Sequence, residues 1–244
     1  MKIIALNEGT YYVSKQKEFN LVTDESRDKR NPEDLTMAIC PFLVITGNDV
    51  ILLDAGSGFT KDGQPIITTL LNQNGYNTGD ITKVLMSHLH KDHIDGIGQI
   101  TENGLISNFP NATIYIQQQE LEYALTQAES HSFNPDILKE LHTLPNLYLM
   151  NEEKGTIGDN ITFEVTGGHS PYHQVFWIKE NNEIAFYGAD NLPQRNYLKF
   201  HIAYKSDFDG KKAMELRQLW EQQATTEHWS VLFYHDVKNN VVKF

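Results

Sequence analysis

Cysteine is almost absent from this chain: Cys40 stands alone among 244 residues, which excludes an intrachain disulfide framework. It opens the apolar run Cys40-Pro41-Phe42-Leu43-Val44-Ile45, so it reads as a buried, inert thiol rather than a nucleophile. Long hydrophobic runs are also missing. No stretch approaches the ~18 to 20 consecutive apolar residues of a membrane span, and no membrane role is expected. The opening Met1-Lys2-Ile3-Ile4-Ala5-Leu6-Asn7-Glu8 is too short in apolar residues and too soon acidic for a signal peptide, so a soluble cytoplasmic protein is expected. Positive charge is scarce: 20 Lys and Arg against 32 Asp and Glu give a net charge of -12. The densest basic stretch, Arg27-Asp28-Lys29-Arg30, is interrupted by an acid, and nucleic acid is excluded as a partner on these grounds.

What is present is an ordinary globular composition, 40% apolar and 21% charged, at a length suited to one sizeable domain, so residues 1–244 are expected to form a single one. Short β runs alternate with amphipathic helical segments. Pro41 to Ile45 and Val50 to Leu53 flank Gly47-Asn48-Asp49, a hairpin signal, and Ile81 to Met86 reads as a further strand. Pro65 to Asn74 carries Ile66, Ile67, Leu70 and Leu71 at helical spacing. Thr113 to Ile116 is a strand, Gln117 to Ala128 a helix, and Glu129 to Leu144 helical in part. Ile161 to Val165 alternates as a strand, and Val175 to Ile178 with Ile184 to Tyr187 form a second hairpin around Asn181-Asn182. Asp209 caps a helix to about Ala224, and Val231 to Tyr234 is the last strand. Trp177 and Trp220 belong to the core, and Trp229 fits core or surface. Phe19 to Leu35, acidic and basic by turns, suits a surface loop or a pocket lid equally.

The densest chemistry lies in Ser87-His88-Leu89-His90-Lys91-Asp92-His93, directly after Val84-Leu85-Met86. Alternation in His88-Leu89-His90 puts both imidazoles on one side of an extended backbone, and the following turn swings Asp92 and His93 toward a second point. His88, His169, Asp190 and His235 each lie just past a predicted strand end, where an α/β fold gathers its functional groups. His88, His90 and His169 would make one three-imidazole metal site. Asp92, His93 and His235 would make its neighbour, with Asp190 as the bridging carboxylate. With no cysteine near them, two Zn(II) ions suit the ligands best, Fe or Mn being the other candidates. His173 fits a supporting role better than a metal ligand. His131, His142, His201 and His228 lack a partner pattern, although His201 stands close enough in sequence to reach the pocket. Lys91 reads as solvated, and Tyr197 as a packed side chain or a donor to a developing oxyanion.

The motif His88-x-His90-x-Asp92-His93, then Gly168-His169-Ser170-Pro171, Gly188-Ala189-Asp190 and Tyr234-His235-Asp236, resembles the metallo-β-lactamase superfamily of metal-dependent hydrolases. Leu52-Leu53-Asp54-Ala55-Gly56 is similar to that superfamily's second-strand signature, and the likeness spans residues 40 to 236. The resemblance implies an αββα sandwich of two mixed β-sheets flanked by helices, with the dinuclear site along one edge. It also implies the metal ligands assigned above and a supporting role for Asp54. Gly168 to His173, Phe109 to Tyr115 and Ser206-Asp207-Phe208-Asp209 resemble the N-acyl homoserine lactonases and their relatives. Tyr172 stands where those enzymes usually carry glycine, and the first tyrosine after Asp190 is Tyr197.

The expected activity is therefore hydrolysis of an ester or lactone in a small molecule, N-acyl homoserine lactone or a related lactone first, by a hydroxide the metals make available. Asp92 would relay a proton to the leaving alkoxide, and Asp92 and Asp190 are the catalytic carboxylates. Phosphodiester, phosphotriester and glutathione thioester hydrolysis use the same ligands, although no basic cluster suited to glutathione is visible. A non-enzymatic scaffold predicts eroded ligands, and none is missing. Either a monomer or a homodimer fits.

Overall fold

In the computed structural model, alternating side chains along short strands sort the chain into layers. The structure describes residues 1–26 and 30–244; Arg27, Asp28 and Lys29, part of the basic stretch and of the Phe19 to Leu35 segment, lie outside the described residues. The first sheet has six strands in the order Lys2–Ala5, Phe42–Ile45, Val50–Leu53, Lys83–Leu85, Thr113–Gln117 and Leu147–Met150. Lys2–Ala5 with Phe42–Ile45 and Phe42–Ile45 with Val50–Leu53 pair antiparallel, Phe42 opposite Leu53, and the remaining pairings are parallel. The second sheet also has six strands, in the order Lys154–Ile157, Ile161–Val165, Gln174–Glu180, Glu183–Tyr187, Ser230–Leu232 and Val241–Lys243. Only its Glu183–Tyr187 and Ser230–Leu232 pair is parallel.

Three cores follow from that alternation. Phe42, Val44, Ile51, Leu53 and Leu85 face Phe163, Phe176, Ile178, Ala185 and Tyr187 between the sheets. Leu43, Leu52, Val84, Ile114 and Ile116 point the other way, onto the helices Ile66–Gln73, Gln118–Leu125 and Pro135–Glu140. Val175, Phe186 and Val231 pack outward against Trp220 and Ala224 of the long helix Gly210–Glu227 and against Trp229. The result is the expected αββα sandwich. Trp220 and Trp229 are both buried, and Trp177 is half-buried with its ring tilted 5.1 Å from that of Phe186.

The long helix begins where expected, with the Asp209 carboxylate accepting from the Lys212 amide at 3.0 Å, and continues to a left-handed cap at His228. Pro135–Glu140 and a 3-10 turn at Leu141–Thr143 account for the partly helical stretch. Phe19 to Leu35 is only in part a loop. Phe19–Leu21 and Leu35–Ile39 pair on either side of Gly9–Val13 as a small antiparallel sheet, with Tyr11, Phe19 and Phe59 packed together. Cys40 is buried, and burial pushes its thiol far above the ordinary range, as an inert cysteine requires. Among the described residues no helix is long and apolar enough to cross a membrane.

Candidate metal centre

Loops leaving the strand ends of both sheets meet at one edge of the sandwich. Lys83–Leu85 delivers Ser87 to His93; His90, extended, precedes a single helical turn, Lys91–Ile94, that carries Asp92 and His93. Ile161–Val165 delivers His169, Glu183–Tyr187 delivers Asp190, and Ser230–Leu232 delivers His235. Gly168 makes the second of these turns possible: its φ is +97°, and a Cβ there would lie 2.5 Å from Asn191 Oδ1. That same oxygen accepts from the His169 amide at 2.8 Å.

The imidazoles are anchored on one nitrogen and free on the other. His93 Nδ1 donates to Asp54 Oδ2 at 2.6 Å, His169 Nδ1 to Asp207 Oδ1 at 2.9 Å and His235 Nδ1 to the Ala38 carbonyl at 2.7 Å. Their Nε2 atoms therefore turn inward. His169 Nε2 is 3.2 Å from Asp190 Oδ2, while His93 and His235 Nε2 are 3.3 and 3.0 Å from Asp190 Oδ1. His235 Nε2 also lies 3.5 Å from Asp92 Oδ2. His90 Nδ1 is 3.0 Å from His88 Nε2 and 3.1 Å from His169 Nε2.

His90 Nδ1 is within hydrogen-bond distance of both His88 and His169 Nε2, but three other atoms of the cluster pair with nothing. His93 Nε2, His235 Nε2 and Asp190 Oδ1 are buried and find no hydrogen-bond partner. Leaving several buried polar atoms unsatisfied within one small volume costs a fold several kcal/mol unless a cation completes them. Two groups could hold one each: His88, His90, His169 and Asp190, and Asp92, His93 and His235. A third grouping, Asp54 with His88 and His93, is less suited. Asp54 already accepts from the Ser87 amide, Ser87 Oγ, His93 Nδ1 and the Tyr187 hydroxyl, at 2.5 to 2.7 Å.

Electrostatics agree with a donor set. Burial holds His88 and His90 well below the usual imidazole range, neighbouring imidazoles and, at His90, the Lys17 ammonium adding to it, so both present neutral nitrogens. Burial opposes charge on His93 as well, but Asp190, Asp92 and Asp54 together outweigh it and raise that imidazole. Asp190 is buried too, yet His235, His93 and His169 hold its carboxyl well below the usual range.

Other expected residues divide. His173 is buried beside His88 with its Nδ1 3.2 Å from Asn191 Nδ2, behind the centre. Tyr197 lines the cavity, about 550 Å³ in volume, that opens over His90, His169, Asp190 and His235. Its ring stacks on Tyr204 at 4.3 Å, and fully buried Arg217 sits behind both rings, 5.2 and 5.6 Å away. Burial, then Tyr204, pushes the Tyr197 phenol up, so it stays a donor at neutral pH. His201 ends the short helix Asn196–Phe200 in an exposed left-handed cap and does not line the cavity. His131, His142 and His228 are exposed. Lys91 departs from the solvated reading: it is half-buried with Nζ 5.6 Å from the centre of the Phe19 ring, because the small sheet folds over it.

Several contributors escaped the sequence reading. Asp207 had been noted only as part of an acidic stretch, and its bond to His169 joins positions 38 apart. Tyr234 stacks on His93 at 4.0 Å and donates to the Asp92 carbonyl at 2.6 Å. Glu120, buried on Gln118–Leu125, accepts from Ser170 Oγ at 2.9 Å and the Tyr172 amide at 3.2 Å, which pins the His169 loop to the helix.

A family model of the metallo-beta-lactamase superfamily matches residues 41–222, and the chain belongs to that superfamily. An N-acyl homoserine lactonase of Bacillus cereus is 29% identical over 226 residues, covering 84% of this chain and 83% of its own length. The N-acyl homoserine lactonase AttM of Agrobacterium fabrum is 31% identical over 121 residues, 44% of this chain and 40% of its own. Among solved structures, a probable metal-dependent hydrolase from Staphylococcus aureus superposes with a TM-score of 0.80 at 22% identity, covering 99% of this chain and 91% of its own. The dizinc quorum-quenching lactonase AidC superposes with a TM-score of 0.72 at 23% identity, covering 98% and 88%. The structural likenesses establish the fold; the curated relatives are hydrolases, and at that level the expected enzyme class holds.

Proposed function

We propose that this protein is a dinuclear metal hydrolase acting on an ester or lactone carbonyl, with N-acyl homoserine lactones or related lactones as its first substrate class. The observation that carries the reading is the set of inward-facing, partnerless atoms on His93, His235 and Asp190, the two imidazoles each held from behind by Asp54 and the Ala38 carbonyl. His88, His90 and His169 would hold one ion, Asp92, His93 and His235 the other, and Asp190 would offer one oxygen to each group. Zn(II) suits this imidazole and carboxylate set, with Fe or Mn as the other candidates. When bound, such a pair supplies Lewis acidity and lowers the pKa of water from about 15.7 to ~7, giving a nucleophile at neutral pH.

The chain's own groups do the rest. Asp92 would carry a proton to the departing alcohol oxygen, its backbone fixed by the Tyr234 hydroxyl. Tyr197, kept protonated by burial and backed by Arg217, would donate to a substrate oxygen in the cavity it lines. Tyr123, Phe133 and Phe208 line the cavity for the acyl part. Lactone names among the curated relatives support the same substrate class. The reading is tested with a panel of γ-lactones, thioesters, phosphodiesters and phosphotriesters assayed on the metal-loaded protein. Preferential opening of lactones is expected; turnover of phosphoesters alone would replace the substrate class, and no turnover of any would remove the function.

A further inference from the structure

We propose that the substrate carries a negative charge away from its reacting carbonyl, and that Lys17 reads that charge at the cavity mouth with Lys91 beside it. The proposal rests on the hydrolase reading above and narrows it: an N-acyl homoserine lactone with a plain acyl chain is uncharged, so the substrate favoured here is a related lactone whose chain carries an anionic group.

Lys17 stands in the turn between Gly9–Val13 and Phe19–Leu21, where its amide donates to the Ser14 carbonyl at 3.0 Å and the Ser14 amide to the Glu18 carbonyl at 3.1 Å. Its φ of +58° turns the chain back on itself at the tip. The tip overhangs the candidate metal centre, so Lys17 lines the main cavity as well as a second one of about 320 Å³ bounded by Glu18, Phe19, Phe59, Lys91, Asp92 and Asp95. Its charge is near enough to act on His90.

Among the described residues lining the main cavity, Lys17 is the one lysine or arginine. The two carboxylates there are committed, Asp190 among three imidazoles and Asp207 on His169. Lys17 itself is half-buried and has no ion-pair partner among the described residues. Lys15, on the same turn, shows the contrast: it points outward and pairs with Glu33 at 2.9 Å. Lys91, likewise half-buried and without an ion-pair partner among the described residues, rests its ammonium on Phe19 at the second cavity. In the main cavity, where both carboxylates are already engaged, the Lys17 ammonium lacks a counter-charge that an anionic group on the ligand would supply, while Lys91 acts on Asp95 across the second cavity and adds its charge beside it. Lys17 and Lys91 stand 74 positions apart, so no basic cluster along the chain marks the pair.

The test uses two γ-lactones with the same short acyl chain, ending in a carboxylate in one and in a carboxamide in the other, and the corresponding unreactive γ-lactams. Steady-state kinetics of the lactones and calorimetric titration of the lactams are run on the metal-loaded protein, on Lys17→Gln and on Lys91→Gln, with thermal melting to check folding. A preference for the carboxylate of about tenfold is expected, weakening with added salt and falling toward one in Lys17→Gln. Equal handling of the two ends, failure of both lactams to bind, or a preference unmoved in both variants would overturn the proposal. Lactone opening without charge preference would leave the hydrolase reading intact. Preferential lactam binding without lactone opening would leave Lys17 standing and remove the reaction instead.

Discussion

Asp54 concentrates more of the site's order than any residue that faces the cavity. It is fully buried at a left-handed φ of +56° and accepts four hydrogen bonds, from Ser87 twice, His93 and Tyr187. Asn in its place keeps the shape but sets an amide against donors and removes the charge that orients His93. Asp54→Asn is expected to lower metal affinity roughly 10- to 100-fold, read by chelator competition, since second partners of metal-bound imidazoles contribute on that scale. Glu120 offers a test of a different kind. Burial first, against weaker hydrogen bonds from Ser170 and the backbone, pushes its carboxyl up to about 7 from 4.5. The folded protein therefore holds this proton where the unfolded chain has released it, and stability falls as pH rises from about 4.5 to 7. Glu120→Gln lacks that dependence. Relative to the parent it should gain on the order of 3 kcal/mol between pH 4.5 and 8 in urea unfolding, whatever its offset at low pH. A constant difference across that range would mean that the carboxyl ionises freely.

Elements, unlike single groups, were largely legible along the chain because alternation and turn residues are local signals. Phe42–Ile45 and Val50–Leu53 form the hairpin announced by Gly47-Asn48-Asp49, and every second residue of each strand points between the sheets. The long helix was legible from Asp209, whose cap gives the test at this scale: Asp209→Ala is expected to cost about 1 kcal/mol, seen as a lowered thermal midpoint. An unchanged midpoint would mean that the loop before the helix, not the cap, holds its start. Phe19 to Leu35 resisted the same reading for a physical reason. Phe19–Leu21 returns on Gly9–Val13 through Ser14 to Glu18, a turn with no glycine, proline, asparagine or aspartate to announce it, and Leu35–Ile39 pairs with that same strand from the far end of the segment. Of that segment Leu35 lines the main cavity, with Thr36 and Met37 directly after it. Where the chain contributes through long-range pairs, as with Asp207 on His169 or Lys17 over His90, no local pattern marks the residue.

At the scale of the molecule, two six-stranded sheets face each other, and their loops converge along one edge. Neither sheet holds the candidate site alone: His88, His90, Asp92 and His93 come from the first, His169, Asp190 and His235 from the second. The candidate metal centre thus depends on the packing between them, and ions bound there would stabilise the whole sandwich by mass action. The most direct test of this account is a metal count paired with lactone hydrolysis on one preparation, before chelation, after it, and after Zn(II) is restored. The account predicts about two metal ions per chain, hydrolysis abolished on stripping and recovered on reloading, and a thermal midpoint that falls and returns in step. Hydrolysis that survives full removal of metal would contradict it.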